Sequence, residues 1–300
     1  MKTRHLVRLA AFGLKTLVFR LKKPILGTVI VTDYCNLSCK HCAVNNINKI
    51  IYPYDEIVAE MRRFHDEGMR ILFLSGGETL LWRDGKRDIH DLIAEGRRIG
   101  FYLINIVTNG TVTLRIPDAD VVFLSLDGMR EHHNEIRGDT FDTIMANLER
   151  AGDTRICIYA AVNRVNLDDI EELAGLAREH PRINAISFNF HTPYRLTESL
   201  CLSPAERVDA VRRIKRLIDT GYPVFNLRSV LDRYVRNTWK RPCYQCVVSE
   251  GGVRSVCGRC VELPGLCEQC GYLFAAEFST LCAGSFRATV DMFRTYVRFA

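Results

Sequence analysis

The chain contains no apolar run approaching the ~20 residues that span a bilayer. Its N-terminal apolar stretch is broken by Lys15 and lacks a small-residue cleavage site, so neither an integral nor a secreted protein is expected. Proline is scarce, at nine residues, and no low-complexity linker divides the chain. An excess of one charge sign is missing too, once the first 23 residues are set aside. The net charge is +6, but residues 1–23 carry seven Lys or Arg and no acid, leaving 34 basic and 35 acidic side chains in 24–300. Positive charge is thus local, and a nucleic-acid partner is not expected.

Cysteine is what the chain has in quantity. Of twelve, three lie within 35–42 and seven within 243–282; Cys157 and Cys201 stand apart. Disulfide frameworks belong mainly to short secreted chains, whereas CxxC pairs beside a large core hold metal as reduced thiolates. A cytoplasmic protein is expected.

Three hundred residues with 47% hydrophobic content allow one catalytic core and a small appendage. Three parts are expected: a basic amphipathic helix over 1–23, a core over 24–225 and a cysteine-rich region over 226–300. In the first, Leu6, Ala10, Leu14, Leu17 and Leu21 share a face opposite Arg4, Arg8, Lys15 and Lys22. Such a helix either packs on the domain or makes peripheral contact with an anionic membrane.

From Pro24 onward, β-rich runs alternate with helical patterns. Strands are expected at Thr28–Thr32, Ile71–Ser75, Tyr102–Thr108, Val121–Leu126, Arg155–Val162 and Ala185–Asn189. Helices are expected near Asp55–Glu67, Asp88–Gly100, Phe141–Gly152, Asp168–His180 and Ser203–Thr220. Strand-then-helix repetition implies a parallel sheet with right-handed crossovers, an α/β fold. Ligands of such folds sit at the carboxyl ends of the strands. There the sequence places Asp33–Cys42, Gly76-Gly77-Glu78, Thr108-Asn109-Gly110, Asp127-Gly128, and Asn189 with His191. Past Pro242 the pattern turns to cysteine and glycine, read as a small metal-stapled module, before a last amphipathic segment at Phe286–Phe299.

Cys35, Cys39 and Cys42 have Cx3Cx2C spacing. Three thiolates on one loop can ligate three irons of a cubane cluster and leave the fourth without a protein ligand. A metal with an open position can bind substrate. The plainer alternative is a zinc or redox site completed by His41.

Cx3Cx2C directly after the first strand of a βα series resembles the signature of the radical S-adenosylmethionine (SAM) superfamily. The resemblance covers roughly residues 24–225 and implies a partial (β/α)6 TIM-like barrel with a small C-terminal Fe–S-binding module. It implies a [4Fe–4S] cluster on Cys35, Cys39 and Cys42, with SAM chelating the open iron. One electron from the reduced cluster then splits SAM to a 5′-deoxyadenosyl radical, the hard chemistry residing in the cofactor. It also implies that His41 lies near the adenine and that Gly76, Gly77 and Glu78 receive the SAM ammonium, although Thr79 stands where the family has proline. Ser125 and Arg137 are placed near the SAM ribose and carboxylate. Asn109 belongs to the same candidate site, or only closes an Asn-Gly turn.

Cys243/Cys246, Cys257/Cys260 and Cys267/Cys270 form three CxxC pairs, with Cys282 beyond. The region resembles the SPASM and twitch extensions of radical SAM enzymes, which implies an auxiliary [4Fe–4S] cluster; paired CxxC turns suit zinc equally as a motif. Cys157 reads as a small core residue. His191, Tyr194 and Arg195 follow the last strand, where substrate would approach. Expected partners are SAM, a reductant such as flavodoxin or ferredoxin, and a peptide or small-metabolite substrate. The alternatives are a lipid substrate at the membrane surface and a non-catalytic metal protein.

Overall fold

The structure, a computed structural model, describes residues 24–42, 48–194 and 197–299. The amphipathic segment expected over 1–23 and Arg195 lie outside the described residues. In chain order the core elements are β1 (Leu26–Thr32), α1 (Tyr54–Asp66), β2 (Ile71–Gly76), α2 (Ile89–Ile99), β3 (Leu103–Thr108) and β4 (Val121–Leu124). They continue with α3 (Arg130–Arg137), α4 (Phe141–Glu149), β5 (Ile156–Val162), α5 (Ile170–Glu179), β6 (Ile183–Phe190) and α6 (Pro204–Asp219). After these come α7 (Arg228–Val235), β7 (Cys246–Glu250), β8 (Val253–Val256), α8 (Leu273–Cys282) and α9 (Phe286–Phe299).

Strands β1 to β6 are parallel and lie side by side in sequence order. A doubly wound sheet would reverse direction part-way along. Sequential order keeps every right-handed crossover on one face, so the sheet curls into a partial barrel with helices outside, as the family resemblance implies and the strand–helix alternation alone left open. Alternation along the strands sorts the faces. Leu72, Leu74, Ile104, Ile106, Val122 and Leu124 are fully buried in one core with Met61 and Phe64 of α1, Leu92 of α2 and Ile144 of α4. On the other face Phe73, Phe123 and Tyr159 form a half-buried aromatic ladder, with ring centroids 5.2 and 5.9 Å apart.

The structure adds elements that the periodicity did not mark. Between β3 and β4 the crossover is irregular, and buried Leu114 and Ile116 fill the space a helix would take. The region past Pro242 differs from a separate stapled module: β7 pairs parallel with β1, and β8 returns antiparallel to β7, giving an eight-stranded sheet. The same region also reaches the opposite edge. Phe190 N donates to Gly271 O at 2.8 Å, Gly271 N donates to Thr192 Oγ1 at 3.0 Å, and Leu273 N donates to Asn189 Oδ1 at 2.9 Å. A Cβ at Gly271 would lie 1.9 Å from Phe190 O, so only glycine permits this seam. Buried residues of α7 and α8, among them Val230, Leu231, Leu273 and Ala276, join the main core.

Candidate active site

The loop leaving β1 is closed at its base before it presents its thiols. Asp33 accepts from the backbone N–H groups of Ile50 (2.5 Å) and Asn48 (2.9 Å), and Thr32 Oγ1 donates to Ile50 O at 2.6 Å. A short polar side chain at the strand end thus captures the returning chain. Above this knot Cys35, Cys39 and Cys42 are half-buried. Burial pushes the Cys35 thiol up to about 11, with Glu78, Cys39 and Cys42 adding to the rise. Cys39 is raised by burial too, against the pull of Arg137. Three neighbouring thiols, two of them, Cys35 and Cys39, resisting ionisation alone, are a donor set suited to a cationic metal centre, which ionises them.

The turn after β2 explains Gly76-Gly77. Gly77 N donates to Thr32 O and Glu78 N to Tyr34 O, both at 2.8 Å. A Cβ at Gly77 would lie 2.3 Å from Tyr34 O, and one at Gly76 2.4 Å from Thr32 O. The glycines therefore let this turn press against the backbone that starts the cysteine loop. Glu78 is fully buried and accepts from Leu80 N (3.0 Å), Thr108 Oγ1 (2.7 Å) and Asn109 N (2.7 Å). Its carboxylate locks β2 to β3. Burial raises its pKa, against the lowering effect of these donors. Thr79, in place of the expected proline, donates its hydroxyl to Val107 O at 2.7 Å and holds the turn by that bond. Asn109 Nδ2 reaches Asn36 Oδ1 at 3.0 Å and Cys35 Sγ at 3.8 Å, so Asn109 touches the cysteine loop as well as forming a turn.

The third contact comes from α3. Lys40 N donates to Ile136 O at 2.9 Å, and Arg137 Nη1 points at Cys39 Sγ at 3.6 Å. Arg137 is held by Asp127, which accepts from Arg137 Nε, from Ala161 N at 2.7 Å and lies 3.2 Å from His41 Nε2. Burial alone would raise the pKa of Asp127, but Arg137 and His41 keep its carboxyl well below the usual range. His41 Nδ1 is buried with no hydrogen-bond partner among the described residues. The ring of His191 lies edge-on to His41, centroids 6.2 Å apart, while its Nε2 meets Thr197 Oγ1 at 2.8 Å. Burial, helped by His41, pushes the His191 pKa down to about 4. Ser125 is buried beside this cluster, its N–H donating to Thr108 O at 2.9 Å.

The sequence-derived residues Cys35, Cys39, His41, Cys42, Gly76, Gly77, Glu78, Asn109, Ser125 and Arg137 therefore gather at one mouth. The sequence placed Asp127, Thr108 and Asn36 in loops at this mouth but gave them no role of their own. A charged residue directly before Gly128, after a strand of apolar alternation, was the available signal for Asp127. Among the described residues no three His, Cys, Asp or Glu side chains converge as ligands of one metal ion. A cubane has no such requirement, because it offers separate irons to separate sulfurs.

In the C-terminal region the Cys243 and Cys246 sulfurs are 3.7 Å apart. Cys246, raised by Cys243 and by burial, also feels Cys257 and Cys282. Cys282 is pushed up to about 12 by burial, with Cys243 adding to it. Cys270 likewise reaches about 12 by burial, with Cys260 and Cys267 beside it. Electrostatic influence links Cys243, Cys246 and Cys282, and likewise Cys260, Cys267 and Cys270, with Cys257 feeling Cys243, Cys270 and Cys260. Tyr194 does not face open solvent: it packs with Cys260 and Leu266, against Tyr272. Cys157 is buried in β5, as a core residue would be.

Comparison with known proteins agrees with this geometry. Residues 29–177 match the family model described as the radical SAM superfamily. The chain is 34% identical over 142 residues to a probable GTP 3′,8-cyclase of Methanothermobacter marburgensis, covering 43% of this chain and 45% of that protein. It is 27% identical over 169 residues to the sporulation killing factor maturation protein SkfB of Bacillus subtilis, covering 50% and 38%. The chain thus spans less than half the length of these two curated relatives. Among solved structures, Streptococcus suis SuiB bound to precursor peptide SuiA superposes with a TM-score of 0.66 at 16% identity, over 92% of this chain and 68% of that one. With the Cx3Cx2C loop at the mouth of a partial barrel, and the family match running from β1 through β5, residues 29–177 belong to the radical SAM superfamily.

Proposed function

We propose that the chain is an enzyme that cleaves SAM reductively at a [4Fe–4S] cluster on Cys35, Cys39 and Cys42, and directs the resulting radical at a peptide or small-metabolite substrate. The observation that carries this reading is a loop of three thiols braced from three sides: by the Gly76–Glu78 turn, by Asn109 and by Arg137. When bound, the cluster supplies the single electron that breaks a carbon–sulfur bond of the sulfonium compound. The chain's own residues position the reactants. Arg137, fixed by Asp127, sets a buried positive charge beside Cys39 and within reach of a carboxylate. His41, with its unpartnered Nδ1, would meet the adenine. The Gly76-Gly77 backbone would take the ammonium, with the charge of Glu78 behind it. His191 and the half-buried face of Phe73, Phe123 and Tyr159 leave a lumen of apolar and aromatic character for the substrate.

A peptide is supported by SuiB, whose structure holds a precursor peptide, and by SkfB, named as a maturation protein. A small metabolite is supported by the GTP 3′,8-cyclase relative. None of these named relatives supports the lipid or the non-catalytic alternative. The seven C-terminal cysteines hold an auxiliary [4Fe–4S] cluster in this reading. Zinc is the second reading there, favoured by the 3.7 Å between Cys243 and Cys246 sulfurs. That is close to the ~3.8 Å edge of a tetrahedron with metal–sulfur bonds of about 2.3 Å. A low-potential reductant of the flavodoxin or ferredoxin kind would supply electrons, in a cytoplasmic setting.

Anaerobic reconstitution followed by dithionite and SAM should release 5′-deoxyadenosine, and Cys39→Ala should abolish it. No nucleoside from the wild type, despite a full N-terminal cluster, would sink the assignment. Iron, sulfide and zinc counts on the same preparation separate the two C-terminal readings: retained zinc with iron for one cluster selects zinc.

A further inference from the structure

Helix α9 is amphipathic twice over. Its inner face is settled: Ala288 is fully buried, Met292 packs on the main core, and Phe299 meets Phe225 with centroids 6.0 Å apart. Turned away from that face, at spacings of four and three residues, are Phe286, Val290 and Phe293. Phe286 is 79% exposed and Phe293 44%, with Val290 half-buried between them. These three form an outward apolar stripe one helical face wide. Isolated exposed apolar residues need no explanation, but an ordered stripe marks a contact surface.

The charges beside the stripe say what kind of contact it suits. Arg287 and Arg294 are exposed and lie one turn position to its side. The helix's single acid, Asp291, is turned inward, where it accepts from Ser229 N at 2.8 Å and ties α9 to the start of α7. No carboxylate of α9 therefore faces the stripe. The groove between α6 and α7 is also basic, lined by five Arg or Lys against two Asp, although Lys215 and Arg228 pair with Asp232 and Asp219. An apolar strip edged by arginines is the pattern of a helix lying in the interface plane of an anionic bilayer, phenylalanines in the acyl boundary and guanidinium groups among headgroup phosphates. A soluble protein partner would have to match both a narrow apolar strip and a one-signed border.

We infer that the outer face of α9, formed by Phe286, Val290 and Phe293 with Arg287 and Arg294, seats the protein on an anionic lipid surface. This inference does not rest on the proposed reaction. It is also distinct from any contact made by residues 1–23, although their seven cations and absent acids have the same sign preference.

The test is co-sedimentation of the full chain with vesicles of phosphatidylcholine alone or with about one-third phosphatidylglycerol. Expected is binding to the anionic vesicles only, weakened by high salt. Arg287→Glu with Arg294→Glu should weaken it by at least about thirtyfold, since each arginine near the surface contributes about a factor of five. Phe286→Ser with Phe293→Ser should weaken it by at least as much. All four positions are exposed, so circular dichroism and thermal midpoint should stay unchanged. Removal of residues 1–23 should leave binding that still depends on Phe286 and Phe293. Three results would overturn the inference: no wild-type binding, binding by the double serine variant equal to wild type, or a solution dimer that this variant dissolves while lipid binding persists.

Discussion

Asp127→Asn is the most searching single change for this site. It keeps the side-chain shape but removes the charge that faces Arg137 and His41. Asp127 has no solvent exposure, and the Arg137 side chain is 12% exposed, so water cannot replace what is lost. Removing one partner of a buried pair costs about 3–5 kcal/mol, because the other charge stays buried. A domain of this size has roughly 5–15 kcal/mol in total. With a urea slope of about 3 kcal/mol/M, the unfolding midpoint should fall by roughly 1–1.7 M. The assay is anaerobic urea unfolding of the metal-free, reduced protein followed by circular dichroism. Asp127→Asn with Arg137→Met removes both charges and should cost less than the sum of the single changes by about 1–3 kcal/mol. The pH dependence has a definite sign. The folded carboxyl is held well below its ordinary 3.8, so the pair's stabilisation is present above that value and lost as pH falls through the folded pKa. From pH 5 to 8 the gap between wild type and variant should stay constant. A midpoint shift under about 0.3 M, or an additive cycle, would refute the idea that Asp127 organises the site.

Two other expectations follow from the same geometry. Gly77→Ala places a methyl within 2.6 Å of the Asp33 and Tyr34 carbonyl oxygens. It should cost about 1–3 kcal/mol by overpacking and lower iron uptake at the N-terminal loop, read by iron and sulfide analysis with C-terminal metal as the internal reference. Glu277, buried in α8, accepts from Leu227 N at 2.8 Å and from Asn226 Nδ2, and burial raises its pKa from 4.5 to about 7 against those bonds. A raised carboxyl contributes stability that is fully present below about pH 4.5 and lost as pH rises through 7, about 3 kcal/mol in all. Glu277→Gln should remove that fall, and parallel urea midpoints for variant and wild type at pH 5 and 8 would contradict it.

The six core strands were legible because each is an apolar run bounded by glycine or polar residues, and the thiol loop because its cysteines are close together in sequence. Other elements were hidden for identifiable reasons. Helix α3 is polar almost throughout, and only His133 and Ile136 are buried, so its period is faint. Helix α8 has the opposite problem: Leu273, Ala275, Ala276, Ser279, Thr280 and Leu281 are all buried, so no polar face marks it. Strand β7 begins with a cysteine of a CxxC pair, and its partner is β1, more than two hundred residues away. Local pattern contains no information about such a pairing. The bracing roles of Asp127 and Glu78 belong to the same class, since the partners of Asp127 come from three separate segments and those of Glu78 include Thr108 and Asn109, about thirty residues on.

A closed barrel has its girth set by strand number and stagger, but this sheet is a split ring whose two rims are joined by the tail. One end of the join is β7 alongside β1; the other is the Gly271 seam at the end of β6. The stretch from Cys257 to Cys270, which follows β8, is therefore a strap across the slit, and its length bears on how wide the lumen can be. Shortening that strap by a few residues would pinch the space between the first and sixth strands, and lengthening it would relax it. The width of the ring is in this way tied to residues remote in sequence from the Cys35–Cys42 loop.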